Sequence, residues 1–196
     1  CWGKNNFGQL GDNSTEDSHL PNYTLIPGNS KAVALTSGLH HTCALMDNNT
    51  IYCWGYNGNG QLGDASYTAK YKPVISQLSP SNGIVQISAG NEFTCALIEN
   101  GSIYCWGSNN ANQVEGDESD ELSSNSPNPY HVNITENGNF ASFDSGSQNI
   151  CAITKASDIR CWGSNTGSIE SFFARSTSKI TYTGNSVTRK LLAPQG

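Results

Sequence analysis

Short apolar stretches separated by loops rich in Gly, Asn and Ser recur along the chain. The stretch 84–90, IVQISAG, is mostly apolar and ends at a glycine. The stretches 93–98, FTCALI, and 102–106, SIYCW, flank the dipeptide Asn100-Gly101, the strongest short-range signal for a β-hairpin. Residues 72–78, KPVISQL, predict a further strand. Four short strands in about 52 residues predict one antiparallel blade of a β-propeller.

The same strands are predicted in the neighbouring segments. LPNYTLI near Pro21 and NPYHVNI near Pro129 correspond to KPVISQL, and each is predicted to form a strand. Val33 and Leu35 mark the strand that corresponds to 84–90. Because all of these strands are short and joined by polar turns, the pattern predicts an all-β fold.

Two sequence blocks repeat with a nearly constant period. The string Cys-Trp-Gly begins at Cys1, Cys53, Cys105 and Cys161, with offsets of 52, 52 and 56 residues. A glycine stands five residues before another cysteine at three places, Gly38, Gly90 and Gly146. Self-similarity at a period of roughly 50 residues is typical of propellers and other repeat architectures.

The period predicts one partial propeller over residues 1–196. Its units are 1–52, 53–104, 105–160, and a degenerate unit or tail 161–196. Units of this kind bury their apolar faces only against neighbouring units. We therefore expect a partial ring of about three to four four-stranded blades.

One tryptophan recurs in each unit. The four residues are Trp2, Trp54, Trp106 and Trp162. Because they recur with the repeat, we interpret them as packing between blades. An aromatic cage for a ligand or a platform for a sugar is the alternative interpretation. The three repeated glycines are interpreted as structural residues of the repeat.

Six of the seven cysteines form pairs ten positions apart. The pairs are Cys43 with Cys53, Cys95 with Cys105, and Cys151 with Cys161. Each pair flanks a predicted hairpin, and facing residues of antiparallel strands lie about 4.5–5.5 Å apart at Cα, within reach of a disulfide. Each bridge is expected to contribute roughly 3 kcal/mol in the chain-entropy model. Reduced, buried cysteines are the alternative, and zinc is disfavoured because this spacing is not that of a zinc site.

Cys1 has no cysteine ten positions before it in this sequence. By the spacing of the other pairs, its partner is expected outside the chain, in a preceding blade. This makes Cys1 a structural residue and the chain a portion of a larger protein, rather than Cys1 a reactive nucleophile.

The predicted disulfides indicate an oxidising compartment, so a secreted or cell-surface location is expected. Five Asn-x-Ser/Thr sequons are candidates for N-linked glycans: Asn13, Asn22, Asn48, Asn100 and Asn133. Asn48 and Asn100 differ by 52 positions and occupy the same predicted hairpin tip, from which a glycan can project.

The composition excludes some partners. Charged residues are 13% of the chain, Lys and Arg total 10, and the formal net charge is −6, so no basic surface for nucleic acid is expected. No apolar run approaches the roughly 20 residues of a membrane span.

No motif of an active site or cofactor site occurs, so we expect no enzymatic activity and no cofactor. His40 and His41 are interpreted as turn structure, with metal binding as the alternative. The acidic residues Asp117, Glu118, Asp120 and Glu121 are a weak candidate for calcium, because carboxylate oxygens suit that ion. Their spacing does not match an EF-hand loop, and a solvated run of charges is the usual explanation. No other metal site is predicted.

The strings ISAGNEFTCALIENGSIYCWGSN and CWGYNGNGQLGD resemble the repeat of the regulator of chromosome condensation family over residues 1 to about 165. The resemblance implies the seven-bladed propeller of that family, of which this chain would form part. The paired cysteines suggest a variety of the repeat found in secreted or surface proteins. Two departures are an enlarged acidic loop in the third unit and the loss of the pattern after Gly163.

The resemblance implies action through protein contacts. We expect a non-enzymatic extracellular structural or interaction module, disulfide-bonded and N-glycosylated, within a larger cell-surface or filamentous assembly. Its expected partners are other protein subunits or further blades of the same chain, together with N-linked glycans. A secreted binding propeller, such as an adhesin, a carbohydrate-binding protein or an enzyme inhibitor, is the alternative. Guanine-nucleotide exchange, the activity of the family's founder, is disfavoured by the disulfides and the negative net charge.

Overall fold

The structure is a computed structural model of the 196-residue chain. It describes residues 1–116, 125–132, 134 and 139–164, and the strands of residues 180–183 and 186–190. These residues form antiparallel sheets connected by turns and loops, which confirms the predicted all-β propeller fold. No helix in the described part of the chain is long and apolar enough to cross a membrane.

The first two sheets each contain four strands in sequence order. The first sheet consists of β1 (Ala32–Ser37), β2 (His41–Met46), β3 (Ile51–Gly55) and β4 (Lys70–Ile75). The second consists of β5 (Ile84–Ala89), β6 (Phe93–Ile98), β7 (Ile103–Gly107) and β8 (Ser126–His131). In each of these two sheets the first strand begins about 30 residues after one Cys-Trp-Gly string. The fourth strand follows the next Cys-Trp-Gly string along the chain.

The third sheet has five strands in the order β12-β13-β11-β10-β9. They are β9 (Phe140–Ser145), β10 (Asn149–Thr154), β11 (Asp158–Gly163), β12 (Ile180–Thr183) and β13 (Ser186–Lys190). In this sheet β13 occupies the place beside β11 that β4 and β8 occupy in the other two sheets.

Hairpins join the second and third strands of the sheets. In the second sheet Cys95 faces Cys105, and Thr94 faces Trp106. The turn contains Gly101, whose φ of 92° lies in the left-handed region that favours glycine. The Gly101 amide donates a hydrogen bond of 2.8 Å to the Ile98 carbonyl oxygen, which closes the turn. The Asn-Gly signal thus sets the register that brings the cysteines together.

Apolar side chains fill the two seams between successive sheets. The seam between the first and second sheets contains Cys43, Leu45, Ile51, Ile87 and Trp106. The seam between the second and third contains Cys95, Leu97, Ile103, Phe143 and Trp162. Because burial of a large apolar side chain contributes about 1.5–3 kcal/mol, these seams hold the sheets together.

Residues 1–26 pack on the other face of the first sheet. Cys1 and Ile26 contact a small cluster formed by Ala44, Met46 and Trp54. The prediction of a strand near Pro21 is wrong, because residues 20–26 have no strand structure. Strands β4 and β8 each pair with a five-residue strand, whereas residues 1–31 contain a single isolated bridge, between Gly3 and Ser18. A regular partner strand is therefore missing here.

Candidate functional site

Three hairpins carry a disulfide at the same repeat position. The bonds are Cys43–Cys53, Cys95–Cys105 and Cys151–Cys161, and each has a Cα–Cα distance of 4.1 Å. Cys43 and Cys53 are completely buried in the first seam. The bonds thus link the second and third strands of the hairpins, and the first two bonds lie in the seams between sheets. Cys1 is a free cysteine and is half-buried.

The buried tryptophans are each held by the loop of the preceding repeat. Trp106 Nε1 donates a hydrogen bond of 2.9 Å to the carbonyl oxygen of Gln61. The equivalent bonds join Trp54 to Gln9 at 2.8 Å and Trp162 to Gln113 at 3.1 Å. The glutamines were not identified from the sequence, although their spacing of 52 residues is a usable signal.

Close backbone approach at these sites depends on a glycine. Gly63 has a φ of +68°, and a Cβ there would lie 2.9 Å from Trp106 Cδ1. A side chain is therefore excluded by conformation and by space. The Gln-Leu-Gly sequence of the loop is explained by this contact with the next tryptophan.

A buried asparagine organises each loop. Asn57 Oδ1 accepts a hydrogen bond of 3.0 Å from the Leu62 amide, and Asn57 Nδ2 donates one of 3.0 Å to Asp64 Oδ1. Asn5 and Asn109 make the equivalent bonds to the backbone amides of Leu10 and Val114. The role of these asparagines was also missed by the sequence interpretation, which identified the segments only as Gly- and Asn-rich loops.

The first loop also contains a well-satisfied carboxylate. Burial opposes the charged form of Asp12, but hydrogen bonds from Ser14, Asn22 and Asn5 outweigh it and lower the pKa of Asp12. The charged Asp12 is thus part of the loop structure.

Trp2 differs from the other three tryptophans. Its side chain is 68% exposed, whereas Trp54, Trp106 and Trp162 are at most 2% exposed. The physical reason is that no loop or sheet lies over Trp2 in the part of the chain that the structure describes.

The repeated glycines lie where the innermost strands end and approach each other. A Cβ at Gly38 would collide with the His41 ring and the Gly90 carbonyl oxygen, and one at Gly90 would lie 2.7 Å from the Gly146 carbonyl oxygen. These positions need glycine because neighbouring sheets meet there. Gly146 itself is exposed at this rim.

His41 is buried in the first seam. Thr94 Oγ1 donates its one hydrogen to the Gln61 carbonyl oxygen at 2.9 Å, so it accepts from His41 Nε2, also at 2.9 Å. His41 Nδ1 has no hydrogen-bond partner. Burial, assisted by the charge of His40, lowers the pKa of His41 to about 4. His41 is therefore a neutral structural residue at ordinary pH.

Three partly exposed aromatic rings from the first two repeat units cluster on loops. The Phe7 ring centroid lies 4.8 Å from that of His40 and 5.0 Å from that of Tyr56. The residues 52 positions later are Asn59, Glu92 and Ser108. The blade fold therefore does not require aromatic residues here, which makes this aromatic cluster a candidate contact surface.

The sequons lie in different environments. Asn48 and Asn100 are exposed at hairpin tips, and their Oδ1 atoms accept hydrogen bonds from the backbone amides of Thr50 and Ser102. Asn13 is exposed, and Asn22 is exposed with its Nδ2 donating to Asp12. The sequon at Asn133 lies outside the described residues.

The calcium candidates Asp117, Glu118, Asp120 and Glu121 also lie outside the described residues. Within the part of the chain that is described, no group of three or more His, Cys, Asp or Glu residues could hold a metal ion.

The sheets, the seams between them and the loops that hydrogen-bond to the tryptophan of the next repeat define a β-propeller built from tandem repeats. A family model, described as the regulator of chromosome condensation (RCC1) repeat, matches residues 1–45 and 48–97. A second model with the same description matches residues 32–61 and 84–113. The chain belongs to the RCC1 repeat family, and it contributes a disulfide-containing portion of a propeller.

Curated relatives share part of this sequence. The human E3 ubiquitin-protein ligase HERC2 is 29% identical over 168 residues, which are 84% of this chain and 3% of that protein. The Arabidopsis thaliana ultraviolet-B receptor UVR8 is 31% identical over 54% of this chain and 24% of its own length. The Danio rerio RCC2 homolog is 36% identical over 54% of this chain and 21% of its own length. The chain thus spans less than a quarter of each of these relatives.

Solved structures share the fold. Yeast RCC1 (Prp20), in a crystal structure with Kap60, superposes with a TM-score of 0.69 at 19% identity, covering 98% of this chain and 50% of that one. Human WBSCR16 superposes with a TM-score of 0.70 at 19% identity, covering 83% of this chain and 41% of that one. At this identity the similarity establishes the propeller fold.

Proposed function

We propose that this chain is part of an extracellular, non-enzymatic propeller that serves as a structural or protein-interaction module in a larger cell-surface or filamentous assembly. The observation that carries the proposal is the disulfide at the same position of three successive hairpins. Disulfides persist in oxidising compartments and are rare in the cytosol. A bridge repeated in every sheet is therefore an adaptation to a secreted or surface location.

The hairpin tips support a glycosylated surface. Asn48 and Asn100 project at the same place of successive sheets, on the outside of the seams. A glycan at either residue would extend into solvent without disturbing the packing of Cys43 or Cys95. We propose that both asparagines carry N-linked glycans.

A role in binding rather than catalysis agrees with the chemistry of the described residues. His41, whose pKa is strongly lowered, is completely buried and hydrogen-bonded to Thr94, so it is not placed to meet a substrate. The charged Asp12 is held within its own loop. His41 Nε2 and the Asp12 carboxylate thus make structural hydrogen bonds.

Secretion and disulfide mapping test the proposal. The chain is expressed behind a secretory signal in cultured animal cells and, in parallel, in a reducing cytosol. We expect the secreted form to contain all three intrachain bridges by non-reducing peptide mass mapping, and Asn48→Gln and Asn100→Gln each to remove one glycan. Free thiols at Cys43 and Cys53 in the secreted protein would overturn the extracellular proposal. Unmodified asparagines at both tips would overturn glycosylation alone.

The aromatic cluster favours a second candidate, a secreted binding propeller of the adhesin, carbohydrate-binding or enzyme-inhibitor type. Phe7, His40 and Tyr56 offer ring faces that suit sugars and peptides, and the residues 52 positions later, Asn59, Glu92 and Ser108, are not aromatic. A glycan array with the secreted chain tests this candidate, with Phe7→Asn as the variant because the second repeat carries Asn59 there. Glycan-array signals of equal strength for the Phe7→Asn variant and the unaltered chain would contradict this candidate. Nucleotide exchange on a small GTPase is the less favoured function, and an exchange assay that shows acceleration would restore it.

A further inference from the structure

Asn-Gly dipeptides recur in the loops and turns of the chain. Four lie in the described residues, namely Asn57-Gly58, Asn59-Gly60, Asn82-Gly83 and Asn100-Gly101, and a fifth, Asn137-Gly138, lies outside them. Such a pair is prone to lose its side-chain amide, because glycine has no side chain that hinders attack of its backbone nitrogen on the asparagine Cγ. The product is a succinimide ring, which water opens to aspartate or isoaspartate. The surroundings of each pair decide whether it can react.

Three of the four described pairs are held away from this reaction. The Gly60 amide donates a hydrogen bond of 2.9 Å to the Asn57 carbonyl oxygen, and the Gly101 amide donates one of 2.8 Å to the Ile98 carbonyl oxygen. The Asn57 side chain is completely buried, and both ends of its amide are hydrogen-bonded. In each of these pairs, ring closure must break a bond that the loop or turn needs.

Asn82 is exposed and lies in the link between β4 and β5. The amide of Gly83, which is the nucleophile for this pair, donates a long hydrogen bond of 3.4 Å to Oε2 of the exposed Glu99 side chain. Asn82 Oδ1 accepts a hydrogen bond of 3.0 Å from Ser81 Oγ. Both contacts come from exposed side chains rather than from the backbone of a strand or turn. Ring closure at Asn82 can therefore proceed without breaking the fold.

The two side chains that contact this pair carry the chemical groups that the reaction needs. A carboxylate that accepts the N–H of the attacking nitrogen can take its proton while the bond to Cγ forms. A hydroxyl that donates to Oδ1 stabilises the negative charge that develops on this oxygen during the attack. Glu99 and Ser81 thus lie at the two atoms where the proton leaves and the charge develops.

Glu99 is held beside Gly83 by the backbone, because the Glu99 amide donates a hydrogen bond of 2.9 Å to the Gly83 carbonyl oxygen. The first sheet has the same arrangement. There the Lys31 amide donates to Asp47 Oδ1 at 3.1 Å, and the Asp47 amide donates to the Lys31 carbonyl oxygen at 2.9 Å. The residue before Lys31 is Ser30, which has no side-chain amide to lose. The second sheet thus combines an asparagine with a carboxylate contact that belongs to the repeat.

We propose that Asn82-Gly83 is a site of self-catalysed deamidation, in which Glu99 is the general base and Ser81 is the oxyanion donor. The Gly83 nitrogen passes its proton to the Glu99 carboxylate and bonds to Cγ of Asn82. The Cγ–Nδ2 bond then breaks, and the Glu99 carboxyl group returns the proton to the departing nitrogen, which leaves as ammonia. Water adds to either ring carbonyl and opens the succinimide to aspartate or isoaspartate. The net reaction consumes water and releases ammonia, with no oxidant or reductant.

The reaction changes the link between the first two sheets. It adds a negative charge close to Glu99, and isoaspartate lengthens the backbone by one methylene group just before Ile84. Ile84 is buried in the first seam, and its amide donates a hydrogen bond of 3.2 Å to Asn49 Oδ1 at the preceding hairpin tip. Deamidation is therefore a slow chemical change at a joint between sheets. Because it needs only water, this proposal is independent of the compartment and of the function proposed above.

Timed incubation of the intact, disulfide-bonded chain at neutral pH tests the proposal. The chain is prepared without glycans in a bacterial periplasm, because a glycan on Asn100 would itself block deamidation there. Peptide mass mapping measures conversion of each asparagine, and an isoaspartyl methyltransferase labels the isoaspartate. We expect Asn82 to react at least about tenfold faster than Asn57, Asn59 and Asn100 in the folded chain. In the reduced chain unfolded in guanidinium chloride, the four should react at similar rates. Equal rates in the folded chain would overturn the proposal.

Variants of the chain separate assisted deamidation from simple exposure of Asn82. Glu99→Gln and Ser81→Ala should each slow the reaction of Asn82 by roughly tenfold, which is below the usual range for such groups because both are exposed. Asp47→Asn, the equivalent change in the first sheet, is the matched control for Glu99→Gln and should leave the Asn82 rate unchanged. Gly83→Ala should nearly abolish the reaction, because its methyl group hinders the nitrogen and meets the Glu99 carboxylate. An unaltered Asn82 rate in Glu99→Gln or in Ser81→Ala would overturn the catalytic role of that residue.

Discussion

The indole nitrogen of Trp106 donates a hydrogen bond of 2.9 Å to the backbone carbonyl oxygen of Gln61, 45 positions earlier in the chain. Gln61 lies in the loop between β3 and β4 of the first sheet, and Trp106 lies on β7 of the second. The bond therefore crosses a seam, and the same bond recurs for Trp54 and Trp162. Each repeat thus uses its own loop to hold the tryptophan of the next, which couples neighbouring sheets.

Replacing Trp106 by Phe should destabilise the fold by about 1–3 kcal/mol. The change removes the hydrogen bond to Gln61 and leaves space in the seam. Urea unfolding followed by circular dichroism measures the loss. Trp2→Phe is the matched control, and because Trp2 is exposed its effect should stay within about 0.5 kcal/mol. Equal losses in both variants would contradict the seam assignment.

Stability should fall as the pH is lowered from about 6.5 to about 4. The folded state lowers the pKa of His41 from 6.5 to about 4, so the unfolded chain binds the proton more tightly. The stability that neutral His41 contributes is fully present above pH 6.5. It decreases as the pH falls from 6.5 to 4 and changes no further below pH 4. At about 1.4 kcal/mol per pKa unit the total is roughly 3 kcal/mol.

His41→Phe separates this effect from the titration of other groups. Phe93 occupies the corresponding position of the second sheet and is completely buried, so the site accepts an aromatic ring. The variant should lose the part of the pH dependence that lies between pH 4 and 6.5 in chemical unfolding experiments. An unchanged pH profile in His41→Phe would show that His41 is not the responsible group.

Gly38→Ala should destabilise the protein by about 1–3 kcal/mol, because the added methyl group meets the His41 ring and the Gly90 carbonyl oxygen. Gly83→Ala is the control. Its methyl group would meet only the flexible end of Glu99, which can move away. Thermal unfolding of the two variants in parallel measures the difference, and similar melting temperatures would argue against close approach at Gly38.

Asn57→Ala should loosen the loop between β3 and β4. The change removes the acceptor of the Leu62 amide and the donor to Asp64, and it should cost about 1–3 kcal/mol because Asn57 is fully buried. Hydrogen exchange read at the Leu62 amide should become faster. Asn6→Ala, at an exposed asparagine in the loop of the first repeat unit, should leave exchange at Leu62 unchanged. Protection that survives in Asn57→Ala would contradict the organising role.

The hairpins were predictable from the sequence because their determinants are local. Asn100-Gly101 sets the turn, the turn sets the register, and the register brings Cys95 opposite Cys105. The seam tryptophans were predictable for a different reason: a residue repeated at a constant period occupies the same environment in each unit. This second rule fails at Trp2, where the neighbouring unit is missing from the described structure.

The expected strand at residues 20–26 shows the limit of reasoning from a repeat. Its pattern matches β4 and β8, but a strand forms only when an adjacent strand supplies hydrogen bonds along its length. Residues 1–3 are too short to do so. A local pattern therefore predicted a structure that its surroundings do not support.

The sequence by itself determined the period, the all-β class, the hairpins and the paired cysteines, because these depend on spacings of at most about one repeat. The tertiary structure alone decided which polar groups meet across the seams. The bond from His41 to Thr94, the carbonyl oxygen of Gln61 that accepts from Trp106, and the clustering of Phe7 with His40 and Tyr56 join residues of different segments. Such contacts depend on how one sheet is rotated and placed against the next, and that arrangement is set by the packing of whole faces rather than by any short pattern.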